Sequence, residues 1–252
     1  MNAAFPRFFY IGGRWLNSYQ VLLCVGIYVG SLTTAAFAQH SGLSPLKVGL
    51  ASAMCALAGL LGARFYHVLI HADHYLRPSS PSLLWDRKRG GWSVFGALIT
   101  FVPATVAAAL LIGVPLVDTW DVMSSGVLAG GFWVRMGCLF NGCCGGRATQ
   151  RWFGVRLHDT HGVKKRRVPV QYLEMAWWLI GGAIFLWAWP LRLAPGSSAL
   201  AVLAWYGAGR CCLEPMREHV DVVFGRVRIN QLVAALLALG CGGALLIRTL
   251  VG

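Results

Sequence analysis

Charge is scarce in this chain, and acid scarcest of all: nine aspartate and glutamate residues among 252, with 12% charged residues overall. Soluble domains carry about 25%, so a water-facing globule is excluded. With 57% hydrophobic residues and a mean hydropathy of +0.60, the chain is built for lipid. Common catalytic signatures are missing as well. There is no G-x-x-x-x-G-K-[ST] loop, no H-E-x-x-H pair and no G-x-S-x-G elbow, which argues against P-loop nucleotide hydrolysis, zincin chemistry and an α/β-hydrolase nucleophile. Nor is there a C-x-x-C pair, the usual signature of a structural zinc site. No cofactor or metal is expected.

Apolar runs of spanning length recur near residues 20–38, 48–70, 93–117, 121–140, 171–189, 198–213 and 231–250. A helix needs about 20 mostly apolar residues to cross the hydrocarbon core. The expectation is an all-α integral membrane protein, one polytopic domain over residues 1–252 with about seven transmembrane helices. Segments between spans two and three and between spans four and five would form a small extramembrane cap. Residues 33–38, T-T-A-A-F-A, have the small-x-small ending of a signal-peptide cleavage site, but the stretch ahead of the apolar run is too long for an ordinary n-region, so the first span is read as retained.

The net charge of +13 is unevenly placed. Arg7 and Arg14, Arg77 and residues 87–89, Arg147, Arg151, Arg156 and residues 164–167, then Arg217, Arg226 and Arg228 share one side of a seven-span arrangement; Lys47, Arg192 and Arg248 occupy the other. The positive-inside rule alone places the N-terminus in the cytoplasm. The basic run 164–167 reads as a topogenic or lipid-headgroup patch, and no nucleic-acid partner is expected.

Against this background three arginines stand out, each near the end of an apolar run: Arg64, Arg135 and Arg210. An arginine at such a depth either snorkels to the interface or meets an anion within the protein. Glu214 follows Arg210 at i+4, close enough to hold its fork. Glu174 sits in the first turn of the fifth span and is a second candidate partner. Small residues flank each arginine and permit close helix approach. Cysteines at 138, 143 and 144, with 211 and 212 on another span end, are open to several readings: packing, a disulfide or thiol relay, or a soft metal in C-x4-C-C spacing. Cys24, Cys55 and Cys241 read as small packing residues.

In this order these residues resemble the prolipoprotein diacylglyceryl transferases, bacterial membrane enzymes of lipoprotein maturation. The resemblance runs from Tyr19 to Gln231. The family signature G-R-x-G-N-x-x-N-G corresponds to residues 134–142, V-R-M-G-C-L-F-N-G, and the T and W-G that follow correspond to Thr149, Trp152 and Gly154. H-P-S-Q-x-Y-E corresponds to residues 168–174, V-P-V-Q-Y-L-E, which keep Pro169, Gln171 and Glu174. Y-G-x-x-R-x-x-x-E-x-x-R is complete in Tyr206, Gly207, Arg210, Glu214 and Arg217. G-G-R survives as Gly62, Ala63 and Arg64, and G-G-M-S-F-H-G as residues 90–96, G-G-W-S-V-F-G.

The resemblance implies transfer of diacylglyceryl from phosphatidylglycerol to the lipobox cysteine of a prolipoprotein signal peptide, in the bacterial inner membrane, with the N-terminus and active face periplasmic. It assigns Arg135 and Arg210 to the phosphate, with Tyr19 beside them. Asn141 and Gln171 would orient the head group, and Glu174 and Glu214 would fix the arginines. Arg64, Gly142, Gly154, Tyr206 and Arg217 complete the substrate site. Four positions depart from the pattern: Phe95 replaces the expected histidine, Cys138 the first signature asparagine, Cys143 an acid and Val168 a second histidine. Candidate replacement bases are His67, His71, His158, Tyr19 and the thiols of Cys138, Cys143 and Cys144. Two other readings follow from the departures: a noncatalytic lipid- or lipoprotein-binding paralogue, and a thiol-active membrane oxidoreductase using the paired cysteines.

Overall fold

The computed structural model describes residues 6–70, 72, 94–160, 162–191, 193–218, 222–223 and 227–251. Among them run seven helices: α1 Ser18–His40, α2 Pro45–Ile70, α3 Val94–Ile112, α4 Leu116–Asn141, α5 Val170–Ala188, α6 Ser197–Leu213 and α7 Ile229–Val251. Four are long and apolar enough to cross a membrane: Ser18–His40, Pro45–Leu69, Leu116–Asn141 and Ile229–Leu250. Helix α3 is apolar but shorter. The chain is an all-α membrane protein, and its apolar side chains face outward: Leu110, Leu111, Trp187, Leu239 and Leu250 are each at least 75% exposed. Exposed apolar surface on this scale is stable only against lipid.

The apolar runs fall on these helices to within a few residues, except at the third and fourth. Gly113 (φ 69°) ends the third helix early, and α4 begins at Leu116 rather than 121. Asp118 and Asp121 therefore lie within α4. Asp121 accepts hydrogen bonds from the backbone N–H of Gly196 (2.5 Å) and Ala199 (2.8 Å), capping α6 from a neighbouring helix. Of the expected cap, the segment between spans two and three lies outside the described residues, apart from Ala72. Between α4 and α5 the chain forms a hairpin, β3 Val155–His158 with β4 Lys164–Arg167. Two further hairpins were not anticipated. The first, β1 Phe8–Ile11 with β2 Arg14–Asn17, turns at Gly12 (φ 56°) and Gly13 (φ 79°), a left-handed pair that favours glycine. The other is β5 Val222–Val223 with β6 Val227–Arg228.

Glycine sets the closest helix contacts. Gly26 and Gly30 of α1 face Gly126 and Gly130 of α4, and a Cβ added at Gly126 would stand 2.2 Å from Thr34 Oγ1 and 2.5 Å from the Gly30 carbonyl oxygen. Such G-x-x-x-G faces let backbones meet without side chains between them. Gly62 of α2, two residues before Arg64, and Gly96 of α3 do the same. Helix α7 packs on α6, where Gly207 lies against Ala234 and Ala238. At the end remote from the hairpins, Phe185 and Trp189 stack and Phe37 meets both edge-to-face, with centroids 4.7–5.3 Å apart.

Candidate functional site

One end of the bundle gathers the start of α1, the end of α4, the start of α5 and the end of α6. Glu174, in the second turn of α5 and 5% exposed, is the hub. Arg135 Nε of α4 lies 3.3 Å from Glu174 Oε2, Arg210 Nη1 of α6 lies 3.6 Å from Oε1, and Arg217 pairs with the same Oε1. Glu214, in the 3-10 turn Glu214–Met216, is 1% exposed; its Oε2 lies 3.1 Å from Arg210 Nη2 and 3.4 Å from Arg217 Nε. Three guanidiniums on two carboxylates leave one net positive charge in a largely desolvated place, where it attracts an anion far more strongly than in water.

The cluster borders a small cleft of about 20 Å³ lined by Arg135, Glu174, Trp177, Trp178, Tyr206 and Arg210, among others. Trp177 and Trp205 stack at 4.1 Å, and each indole N–H donates to the other's backbone carbonyl, at 3.0 and 3.1 Å, so the α5–α6 contact is rigid beside the arginines. Trp178 stacks on Tyr206 and also lines a larger apolar groove of about 380 Å³ between α1, α4 and α5, with Phe37, Phe132 and Trp133. The polar cleft and the apolar groove thus share a wall.

The other expected site residues occupy more structural positions. Gln171 is 1% exposed and its Nε2 donates to the Cys143 carbonyl at 3.0 Å, so it holds the loop after α4. Asn141 accepts from Asn17 Nδ2 at 3.3 Å; Asn17 also caps α1 through the Tyr19 N–H at 2.9 Å. Gly142 ends α4 in the left-handed region (φ 74°), packed on the carbonyls of His158 and Asp159. Gly154 has no room for a Cβ between Thr149 and Arg166. Tyr19 packs on Gly137, on the cysteine side of Arg135. Arg64 is buried in α2, and the cation completing the Glu174 network is Arg217. Residues 90–93 and His71 lie outside the described residues, as does the Phe95 side chain.

Sequence reasoning missed three contributors. Arg167 belongs by sequence to the basic run 164–167, expected to be a topogenic or lipid-headgroup patch. Lys164, Lys165 and Arg166 are exposed, but Arg167 is 2% exposed, pairing with Asp159 (3.3 Å) and Glu218. Its place just before Val168 and Pro169, where the buried helix opens, was the available signal. Asn17 and Trp177 carried no signal in a single sequence. The loop they help frame is clamped on both sides: Arg147 N–H donates to the Met216 carbonyl (2.9 Å) and Val168 N–H to the Arg147 carbonyl (3.0 Å).

Cys24 is exposed toward lipid, not packed; Cys55 is buried and Cys241 half-buried. Cys138, Cys143 and Cys144 come together; Cys211 and Cys212 are not part of that group. Hydrogen bonds from Cys138 and Cys143, then the charges of Arg135 and Arg217, outweigh burial and hold the Cys144 thiol well below the ordinary thiol range.

The family model for prolipoprotein diacylglyceryl transferase matches residues 6–247. The chain belongs to this family. Among its relatives, the phosphatidylglycerol–prolipoprotein diacylglyceryl transferase of Corynebacterium diphtheriae is 27% identical over 254 residues, covering 94% of this chain and 89% of that protein. The Symbiobacterium thermophilum protein of the same name is 28% identical over 240 residues (91% and 87%). The Frankia alni protein, also so named, is 27% identical over 248 residues, covering 94% of this chain and 64% of its own length. The cationic cluster described above draws on three of the segments that carry the resemblance: Arg135 comes from residues 134–142, Glu174 from residues 168–174, and Arg210, Glu214 and Arg217 from residues 206–217.

Proposed function

We propose that this chain transfers the diacylglyceryl group of phosphatidylglycerol to the lipobox cysteine thiol of a prolipoprotein, at the face of a bacterial inner membrane. The observation that carries the reading is the net-positive cluster of Arg135, Arg210 and Arg217 on Glu174 and Glu214, opening beside an apolar groove across Trp178. A phospholipid has this division of chemistry, a phosphate joined to acyl chains. In the reaction the substrate thiolate attacks the glyceryl carbon esterified to phosphate. A C–S bond forms, the C–O bond breaks, and the electron pair leaves on the phosphate oxygen as glycerol phosphate.

Arg135 and Arg210, each just under one-fifth exposed, are the guanidiniums able to reach a phosphate; Arg217 is more enclosed and positions Glu174. Their role is to bind the head group and take up the negative charge developing on the leaving oxygen. The same cations favour ionisation of an incoming thiol. Tyr19 and the cysteines beside Arg135 are candidates to receive its proton. A second reading, a binding paralogue that takes phosphatidylglycerol without transferring it, is favoured by Phe95 and Val168 standing where the family has histidines.

The deciding experiment is transfer from labelled phosphatidylglycerol to a lipobox peptide by the purified protein. The expected outcome is product with the native chain and a loss of about 100-fold or more for Arg135→Ala and Arg210→Ala. Retained lipid binding with no product would establish the binding paralogue instead.

A further inference from the structure

Cys138 lies in the last turn of α4, where its carbonyl accepts from the Cys143 N–H at 3.1 Å. Gly142 then reverses the chain in the left-handed region, and Cys144 follows at φ 58°, the only non-glycine residue with positive φ among those described. This double reversal brings the three thiols together, with their sulfurs within 4.8 Å of one another. The arrangement does not depend on the thiols for support. Gln171 holds the Cys143 carbonyl from α5, and the chain beyond is pinned by the backbone pairings of Gly146 with Arg217 and of Arg147 with Met216. A donor set fixed by other contacts meets the main requirement of a ligand site, preorganisation.

We propose that Cys138, Cys143 and Cys144 form a three-thiolate site for a soft metal ion, copper(I) in class. At metal–sulfur bonds of about 2.3 Å, three sulfurs around one ion stand about 4 Å apart, within small side-chain rotations of the arrangement here. No other histidine, cysteine or carboxylate among the described residues joins the group. Zinc in structural sites takes four ligands, whereas thiolates alone in low coordination select copper(I). The site has a graded approach: Cys138 is buried, Cys143 half-buried and Cys144 exposed, so an ion can be captured at the rim and passed inward. Arg135 and Arg217 offset part of the charge of three thiolates. Copper binding is read without any transfer assay, so its failure is distinguishable from failure of the transferase reading, in which the same thiols are candidate proton acceptors.

The test uses the purified full-length protein, reduced and metal-free in detergent, titrated anaerobically with copper(I) against a chromophoric copper(I) chelator. One equivalent is expected to bind, with X-ray absorption reporting only sulfur neighbours at about 2.2–2.3 Å. Cys138→Ser, Cys143→Ser and Cys144→Ser are each expected to lose about 100-fold in affinity while a Cys211→Ser/Cys212→Ser variant binds as the native chain does. Absence of competition by the native protein, nitrogen or oxygen neighbours in the absorption spectrum, or equal loss in the Cys211/Cys212 variant would each overturn the proposal. The spectrum of the native protein decides even where a serine variant folds poorly.

Discussion

At Glu174 one carboxylate serves three guanidiniums, and that economy of acid shapes the site. With nine acidic residues in the chain, each buried acid neutralises more than one cation, and the positive excess is available to a ligand. Replacing Glu174 by glutamine keeps its shape and removes its charge, leaving three close cations on Glu214 alone. The expected outcome is destabilisation of about 3–5 kcal/mol, the range for breaking a buried pair, read by thermal unfolding in detergent. Unchanged stability would mean that the arginines already face solvent anions. Arg135→Lys is the complementary change: charge stays, the planar fork goes, and because lysine cannot bind two phosphate oxygens in the same geometry, transfer is expected to fall about 100-fold. Activity near that of the native chain would reduce the role of Arg135 to simple charge.

Between helices, close approach is governed by positions that carry no side chain. Gly126→Val places atoms inside the α1 backbone and against Thr34, so α1 and α4 must separate. A loss of about 1–3 kcal/mol or more is expected, whereas Gly243→Ala on α7, with nothing within 4 Å of the added carbon, should stay within about 1 kcal/mol of the native chain. Equal effects from both would show that α1 and α4 do not depend on this contact. These two glycines also mark where sequence reading succeeds and fails. Helix positions were readable because hydrophobic runs are local, and the Arg210–Glu214 pair because i+4 spacing is local. Which of the 31 glycines meets which helix is a property of tertiary packing. So is the meeting of Arg135, Glu174 and Arg217, which come from three segments. Cysteines 138, 143 and 144 stand out in the sequence, but their convergence does not, because C-x4-C-C spreads the thiols on a straight helix and the left-handed residues after Asn141 bring them together.

Across the whole molecule, the site sits at the end that carries most of the basic residues, and their number alone argues for the cytoplasmic side. Several of them, however, have work within the fold. Arg7 donates to the Asp159 carbonyl, Arg166 to the carbonyls of Gly154 (3.1 Å) and Trp152 (3.0 Å), Arg167 is buried on two acids, and Arg217 belongs to the Glu174 cluster. A charge required by the fold is weaker evidence of orientation than one that is free. A secreted prolipoprotein presents its lipobox at the outer face of the inner membrane, so a diacylglyceryl transferase site is expected there, with the N-terminus periplasmic. If each of the seven helices crosses, the C-terminus after α7 is cytoplasmic. A green fluorescent protein fused after Gly252 should then fluoresce in a bacterial host, and alkaline phosphatase fused at the same point should be inactive. Replacing the exposed Lys164 and Lys165 by alanine should leave both signals unchanged, since removing positive charge from the periplasmic side only reinforces that orientation. An active phosphatase would mean that charge count outweighs the site, and that the arginine cluster faces the cytoplasmic leaflet and its phospholipids.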